Sequence, residues 1–591
     1  MNVFLDGLSE LGRNAGAILL FFSASLGAGV WLARLFPGGW KEQAWLLVPF
    51  GLAAGLVPLA LLSMLFALLG WLWPPILKIG HIGMAALAVS GLLAWIVRER
   101  KRVALGVPAW AGALGGLALF LLLVVRLAFL EGLLLPPYSD GAAHYLMARD
   151  LLAPASAPQG SHALVGLLQR YYHFGFHGLA AWLVSVTGLP LETALPLLGQ
   201  LFLVIAPLAA LFLSGVTTGS RKFAAFAFLL AAIGWKMPAF ASNWAKYPTA
   251  AGLALLPVTL GALYLLWKSG RRRPAAWIGA ALLAAGVGIF HARTLVCLLV
   301  AGACFLLVRL LDRFAPKKIL PWLAAAAGLL AGYALVSQQY LMQFYCGGQC
   351  YALGAAALLA PFAILYAPGL SLGIFLYLAG TIGASKLHLP EALRSYSVVW
   401  LDGPFLEVAC YLPLAFLGGL GIAGLLGRLE AWPRRLRPTV RAWVRRAVTA
   451  LIVLLVFWNV TRIDTFRPSS CCNYVHAADL AAIRWIGENT PPDAVVYVSG
   501  YKTGGSRVAM DGGMWVTALA GRRSIVEEYD YTWDTLEMLR LACAQGDVYV
   551  YAGGAYYSFE MERFNRPDWY DIVFAEGPVA IYHVSGCIGG K

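Results

Sequence analysis

The chain has 591 residues, of which 60% are hydrophobic and only 12% are charged, and its formal net charge is +15. Many apolar runs reach the roughly 17–25 residues that cross a bilayer, which excludes an ordinary soluble enzyme. The basic residues concentrate in short segments between these runs, where they set membrane topology. The net charge therefore does not indicate a nucleic-acid partner.

The apolar runs predict a polytopic α-helical membrane protein with about 12–14 transmembrane helices. Some of these runs are short and interrupted by glycine or proline, so the number of full crossings is a range. The predicted spans are 15–36, 45–69, 75–97, 109–130, 191–216, 223–240, 248–267, 275–291, 294–311, 319–337, 353–367, 370–384, 411–427 and 446–460.

The basic loops predict which segments lie outside the cell, because positively charged loops stay in the cytoplasm. The stretch 174–188 fits the resulting alternation only as a re-entrant or in-plane helix, and the N-terminus lies outside. This predicts a multi-pass protein of the cytoplasmic (inner) membrane. The predicted outer segments are 131–173, 243–246, 291–293, 338–352, 385–409 and the region after residue 460.

Asp140 is the most informative residue, because this acid lies a few residues beyond a predicted span. His144 follows four residues later, which puts both side chains on one face of a helix that begins near Ser139. Asp140 could take a proton from an attacking hydroxyl, or hold a divalent cation with His144 as second ligand. The alternative is structural: Ser139 or Asp140 caps the helix and His144 is solvated.

His173 and His177 form a second pair at a spacing of four, on an aromatic background that includes Tyr172. We take these three residues as candidate sugar or acceptor contacts, because aromatic rings stack on pyranose faces. The two histidines could also bind a metal. The alternative is an interfacial belt of aromatic residues and histidines at the membrane boundary.

Three cations, Lys246, Arg293 and Arg394, occur in separate outer segments. Charged groups at membrane depth are costly and tend to be functional, and arginine and lysine both bind phosphate well. We therefore expect them, with His291 beside Arg293, to bind a phosphate or pyrophosphate. The alternative is that each side chain extends independently to the interface.

Six cysteines lie in predicted outer segments, where disulfides can form. One pair brackets Gly-Gly-Gln and predicts a local bridge, and four others could make two bridges whose pairing the sequence does not determine. Three further cysteines are predicted to fill space inside helices. The first pair is Cys346 and Cys350, the four are Cys471, Cys472, Cys543 and Cys587, and the three are Cys297, Cys304 and Cys410.

Beyond residue 460 the apolar runs shorten to strand length and alternate with helical patterns, which predicts a small α/β domain with a largely parallel sheet. Residues 502–506 (KTGGS) are similar to a phosphate-binding loop, although a plain turn is the simpler interpretation. The predicted strands are 494–498, 524–526, 547–551, 572–574 and 579–582, and the predicted helices are 476–489, 511–520 and 533–544.

The chain resembles the GT-C superfamily, the integral-membrane glycosyltransferases that use sugars linked to polyprenyl phosphate. Short motifs carry the resemblance across most of the chain. They are YSDGAAHY (138–145) after a span, YYHFGFH (171–177) beside an in-plane helix, NWAKYP (243–248) before a span, and AAIRWIGENTPPD (481–493) with DGGMW (511–515) in the outer domain.

The resemblance implies an inverting sugar transfer in which Asp140 deprotonates or positions the acceptor. It also implies that Lys246, Arg293 and Arg394 bind the donor phosphate. The acidic pair of oligosaccharyltransferases is missing from the second outer segment, so a metal-free clamp fits better than a required divalent metal. The acceptor is a glycan, a lipid or a protein, and membrane lipids surround the site.

Three regions follow from this comparison: accessory transmembrane helices in 1–108, a catalytic module in 109–460 with an outer loop in 131–190, and an extracytoplasmic domain in 461–591. Two other functions stay open. A lipid or glycan transporter would usually show repeated halves, and a non-catalytic assembly subunit would leave Asp140 inert.

Overall fold

A computed structural model describes residues 2–99, 103–153, 173–270, 273–346, 350–391, 399–431, 438–463, 465–503 and 506–589. Up to residue 460 the described chain is largely helical, as its apolar runs predict. The helices are α1 (Val3–Ala33), α2 (Ala44–Ala54), α3 (Leu56–Leu72), α4 (Pro75–Glu99), α5 (Ala109–Leu127), α6 (Tyr138–Leu152), α7 (Gly175–Thr187), α8 (Leu191–Thr218), α9 (Arg221–Ile233), α10 (Tyr247–Ser269), α11 (Pro274–Phe290), α12 (Ala292–Phe314), α13 (Leu320–Val336), α14 (Gln339–Tyr345), α15 (Tyr351–Tyr366), α16 (Pro368–Ala384), α17 (Gly403–Ala409), α18 (Tyr411–Glu430) and α19 (Pro438–Val460).

Eight helical spans among the described residues are long and apolar enough to cross a membrane, and α13 with α14, bent by 95°, would make a ninth. This is fewer than the roughly 12–14 spans predicted from the apolar runs. Helices α7, α11, α15 and α16 are apolar but short. The 13 residues of α7 rise about 20 Å, less than a hydrocarbon core of ~30 Å. The helical region is compatible with a polytopic membrane protein.

Two hydrophobic cores hold the helices together. The first joins α1–α4 to α8, α10 and α11 through side chains such as Phe21, Phe50 and Phe202. The second joins α9, α12–α16 and α18 through side chains such as Phe375 and Tyr411. Because the first core contains residues on both sides of position 108, packing is continuous across the domain boundary expected there.

Helix α1 begins at Val3, well before the predicted start of the first span at residue 15. Its polar first turns have partners: Asp6 pairs with Arg467 at 2.7 Å, and Arg13 pairs with Glu131 at 3.3 Å. The N-terminal end of α1 therefore lies at the same end of the helical region as the segments that lead into α6 and into the C-terminal domain.

The C-terminal domain is built on a six-stranded mixed sheet. Strand β1 pairs in parallel with β3 and β4, whereas the β1–β2, β4–β6 and β5–β6 pairings are antiparallel. The prediction of a largely parallel sheet was wrong, because two residues join β5 to β6 and a parallel pair needs a long crossover. The strands are β1 (Val495–Thr503), β2 (Ser506–Ala509), β3 (Arg523–Glu528), β4 (Val548–Ala552), β5 (Tyr570–Glu576) and β6 (Val579–Val584).

The helical parts of this domain also differ from the prediction in places. Helix α20 (Ala477–Asn489) lies where a helix was predicted, and α21 (Leu536–Cys543) is shorter than predicted. The predicted helix at 511–520 is instead a 3-10 turn (Gly512–Trp515) followed by one π-helical turn (Val516–Ala520).

This pair of turns is the surface on which the domain meets the helical region. Helix α6 packs against it, with the rings of Tyr145 and Trp515 5.5 Å apart. Arg149 donates a hydrogen bond to the carbonyl oxygen of Ala518 at 3.1 Å. Ala142 of α6 belongs to the same hydrophobic cluster as the core of the domain. Helix α6 is therefore part of the helical region and also of the core of the C-terminal domain.

All six cysteines of the predicted outer segments are paired in the structure. Cys346 bonds to Cys350, and the four in the C-terminal region form two bridges, as counted from the sequence. One of these joins the neighbours Cys471 and Cys472, and the other joins Cys543 to Cys587, near the C-terminus. Cys297, Cys304 and Cys410 are free thiols.

Candidate functional site

Asp140 lies in the first turn of α6, and its carboxylate faces the membrane helices. Its Oδ2 lies 2.6 Å from Nζ of Lys246, 106 residues farther along the chain. The expectation that Ser139 or Asp140 caps the helix was wrong, because the cap position belongs to Pro137 and has no side-chain hydrogen bond. The carboxylate is therefore available for an interaction across helices.

Lys246 immediately precedes α10. Burial by itself would lower the pKa of Lys246, but the carboxylates of Asp140 and, farther away, Asp402 outweigh it and raise the pKa above its ordinary value. The lysine is thus firmly protonated. A cation at a helix N-terminus is repelled by the helix dipole, so helix stability does not explain its position.

The backbone on both sides of this ion pair is held in an unusual conformation. Among the described residues, only Tyr138 (φ 61°) and Ala245 (φ 49°) adopt positive φ without being glycine. Tyr138 lies two residues before Asp140, and Ala245 lies one residue before Lys246. The left-handed region costs an L-residue about 1–2 kcal/mol, and such residues cluster at functional sites.

A second ion pair joins Arg293 to Asp402, with 2.7 Å between guanidinium and carboxylate. Arg293 is the second residue of α12, and Asp402 caps α17 by accepting a hydrogen bond from the amide of Phe405 at 3.0 Å. Asp402 is not among the site residues predicted from the sequence. A signal was present, since both Asp140 and Asp402 are followed by glycine near the start of a helix.

The two pairs belong to one charged group. Asp402 acts electrostatically on Lys246 as well as on Arg293, so acid and base alternate from Asp140 through Lys246 and Asp402 to Arg293. The four side chains are between 29% and 34% exposed. We call them the charge row. It has no net charge when all four groups are ionised, and a solute can reach it.

Two histidines lie behind Asp140. Nδ1 of His144 is 2.9 Å from Nε2 of His177 on α7, and the rings of Phe176 and Tyr247 pack against His144. Burial lowers the pKa of His144 to about 4, although nearby Asp140 acts in the opposite direction. His144 is therefore neutral at physiological pH and buried, which contradicts the alternative of a solvated histidine.

The other two histidines lie beside Arg293. His291 occupies the break between α11 and α12, stacks on Phe405 with ring centres 5.2 Å apart, and lies 3.1 Å from the Thr249 hydroxyl. Its ring centre is 4.6 Å from that of His173. Burial first, and then the neighbouring histidines and cations, hold the pKa of both histidines well below the ordinary value.

A glycine lets α10 approach this turn. A Cβ atom on Gly252 would lie 2.7 Å from Oγ1 of Thr294 and 3.0 Å from Cβ of His291. Substitution by any larger residue would therefore push the His291 turn away from Thr249. The close approach at Gly252 helps to place His291 and the adjacent Arg293.

The structure thus brings together seven of the nine predicted site residues. Tyr172 and Arg394 lie outside the described residues. Within the described ranges, no three histidine, cysteine, aspartate or glutamate side chains are grouped as metal ligands would be. The seven predicted site residues that the structure brings together are Asp140, His144, His173, His177, Lys246, His291 and Arg293.

The segment between α19 and α20 contacts two elements of the site. The amide of Tyr138 donates to the carbonyl oxygen of Cys472 at 2.9 Å, and the amide of Ser469 donates to the side-chain oxygen of Asn243 at 2.7 Å. This segment therefore touches the start of α6 and the turn that carries Lys246. The Cys471–Cys472 disulfide is part of this segment.

Comparison with known proteins gives one family. The family model described as "Family of unknown function (DUF6541)" matches residues 26–348, more than half of the chain. The match includes both Asp140 and Lys246, all four histidines and Arg293, but neither Asp402 nor the C-terminal domain. No curated protein matches the chain.

Proposed function

We propose that this chain, which belongs to the DUF6541 family, transfers a sugar from a polyprenyl-phosphate donor to an acceptor hydroxyl at the outer face of the cytoplasmic membrane. The observation that carries the proposal is the charge row: two acids and two cations from segments distant in sequence, which are accessible and lie beside apolar helices. A lipid-linked phosphate needs such cations, and an acceptor hydroxyl needs such an acid.

In this reaction Asp140 is the general base. The acceptor oxygen forms a bond to the anomeric carbon from the side opposite the phosphate, and the bond from that carbon to the phosphate oxygen breaks. The acceptor proton passes to the Asp140 carboxylate, and the polyprenyl phosphate leaves with the electron pair. The configuration at the anomeric carbon inverts, as the resemblance to the GT-C superfamily implies.

Lys246 and Arg293 stabilise the phosphate as its negative charge grows. Both can do so without giving up their carboxylate partners. The ammonium group of Lys246 has three donors and the guanidinium of Arg293 has five, so each cation keeps donors free for phosphate oxygens. Asp140 and Asp402 then fix the directions in which those donors point.

The neutral histidines suit a sugar better than a phosphate. An uncharged imidazole offers one donor and one acceptor, which matches the hydroxyl groups of a pyranose. His173 and His291 lie next to Arg293, where the sugar attached to the phosphate would extend. His144 and His177 bond to each other and support α6 behind Asp140.

The test is Asp140→Asn in the full chain, reconstituted in lipid nanodiscs and assayed with a panel of polyprenyl-phosphate sugars. Asparagine keeps the shape of the side chain but cannot accept the proton, so turnover should fall by about 100-fold or more. Donor binding, measured separately, should persist because Lys246 and Arg293 remain.

Glu430→Gln is the matched control. Glu430 pairs with Lys222 at 2.5 Å and with Arg445 at 2.8 Å, at the end of α18 far from Asp402, so this variant should turn over normally. Transfer by Asp140→Asn at the wild-type rate would exclude Asp140 as the base. Lack of transfer by the wild-type protein with every donor would favour a transporter or an assembly subunit.

A further inference from the structure

Four tyrosines gather at one edge of the C-terminal sheet. Tyr501 is on β1, Tyr529 directly follows β3, and Tyr556 and Tyr557 follow β4. Since β1, β3 and β4 are parallel, their carboxyl ends meet at this edge. The ring of Tyr557 lies 5.8 Å from Tyr501, 5.1 Å from Tyr529 and 4.9 Å from Tyr556. We call these residues the tyrosine cluster.

The tyrosine cluster is a surface feature rather than part of the core. Tyr556 is 88% exposed and Tyr501 is 49% exposed. The planes of the other rings are inclined to that of Tyr557 by 46°, 75° and 89°, so the cluster offers several faces in different directions. Exposed aromatic groups of this kind are typical of binding surfaces.

The charged groups around the cluster are three acids and two bases, one of which is Lys502, next to Tyr501 in β1. Asp530 acts electrostatically on Tyr529. Arg507, on the strand that pairs with the end of β1, is already engaged by Glu527 at 2.9 Å and by Glu528 at 3.8 Å. Acidic groups disfavour a polyanionic ligand and anionic lipid head groups, but they accept hydrogen bonds from hydroxyl groups.

Tyrosines also connect the cluster to the charge row. Tyr557 is close enough to Tyr474 to interact with it electrostatically, and the ring of Tyr474 lies 6.5 Å from that of Tyr138. Tyr138 is two residues before Asp140 in the first turn of α6. The tyrosine cluster therefore adjoins, through the buried side chain of Tyr474, the segment that carries the proposed base.

We propose that the tyrosine cluster binds a neutral glycan chain, and that this glycan is the acceptor. The inference rests on the proposed sugar transfer and gives its acceptor a chemical class. The apolar faces of successive pyranose rings stack on the tyrosine rings, and their hydroxyl groups bond to phenol oxygens and to Glu528 and Asp530. The terminal sugar of the chain then reaches Asp140.

The experiment measures glycan binding without donor. Full-length protein in lipid nanodiscs is titrated with maltohexaose, cellohexaose and mannohexaose, and binding is followed by saturation-transfer NMR. At least one hexasaccharide should bind the wild-type protein. Tyr556→Ala and Tyr501→Ala should each weaken that binding about five- to tenfold, as expected when one stacking ring is lost.

Two controls test whether the ring itself matters. Tyr556→Phe keeps the stacking face and should bind within about twofold of wild type. Leu536→Ala removes a side chain that is 60% exposed on α21 of the same domain and should have no effect. Both variants change exposed side chains, so folding is preserved.

The outcomes separate this inference from the proposed reaction. Asp140→Asn should bind the glycan as wild type does while failing to transfer sugar. If none of the three hexasaccharides binds the wild-type protein, or if both alanine variants bind as wild type does, the glycan assignment is overturned even when donor turnover depends on Asp140. Capture of a polypeptide by the cluster without glycan binding would overturn it too.

Discussion

Asp140 and Asp402 both pair with a cation in the charge row, yet the proposed transfer uses only one of them as a base. Asp140 lies in the first turn of α6, against the C-terminal domain from which the acceptor would enter. The carboxylate of Asp402 caps α17 and pairs with Arg293. The two acids should therefore respond differently to the same substitution.

We predict that Asp402→Asn lowers the KM for the donor and leaves kcat within about threefold of wild type. Asparagine still caps the helix, but the row gains one net positive charge, which favours the anionic donor. Steady-state kinetics across donor concentrations at fixed acceptor measures this. A loss of kcat like that of Asp140→Asn would mean that Asp402 shares the role of the base.

At the scale of single elements, the turn at Ala245 sets the position of Lys246. We predict that Ala245→Val strongly reduces transfer, by about tenfold or more, because a β-branched residue tolerates positive φ poorly and the turn must change. Ala245→Gly adopts positive φ freely and should keep most of the activity. Initial transfer rates of the two variants, with folding checked by thermal unfolding, give the comparison; equal rates would show that the turn does not position Lys246.

Most helix bounds were predictable because apolar length and helix-starting prolines are local properties. The predicted spans 248–267 and 370–384 correspond to α10 and α16, and both helices have proline in their first turn. The directions of the sheet pairings were not predictable in this way. Apolar strand patterns reveal a sheet, whereas the partners of β1 and β4 depend on packing between segments distant in the chain. The short β5–β6 connection is different, because its length alone requires an antiparallel pair.

The site was predictable only in part, for a similar reason. The spacing of four residues predicts that Asp140 pairs with His144 and His173 with His177, because residues four apart share a helix face. The structure pairs them across elements instead, Asp140 with Lys246 and His144 with His177. The predicted topology places Asp140, Lys246 and Arg293 on one side of the membrane. The partner of each ion pair, however, can be identified only from the folded structure.

At the scale of the whole molecule, the C-terminal domain contains a buried acid that makes its stability sensitive to pH. Asp511 accepts hydrogen bonds from Ser499 at 2.7 Å, Ser558 at 3.0 Å and the Gly513 amide at 2.9 Å. Burial raises the pKa of Asp511 to about 7, with the hydrogen bonds acting in the opposite direction and Asp479 adding to the rise.

We predict that this domain loses stability as pH rises from about 4 to 7 and then levels off. In that range the folded state holds a proton on Asp511 that the unfolded state has released, so the free energy of unfolding falls with pH. Hydrogen exchange of peptides from α20 and β4, in the full chain, measures this. Asp511→Asn should flatten the dependence, and an equally steep dependence in that variant would assign it to another group.

Helix α6 packs both against the other helices and against the C-terminal domain, and this double packing has a practical consequence. Severing the chain after α19 would not give a smaller working unit, since the helix that bears the proposed base would lose its support at Trp515 and its anchor at Ala518. Natural or engineered exchange of the C-terminal domain should accordingly succeed only when the facing surface of α6 is exchanged with it.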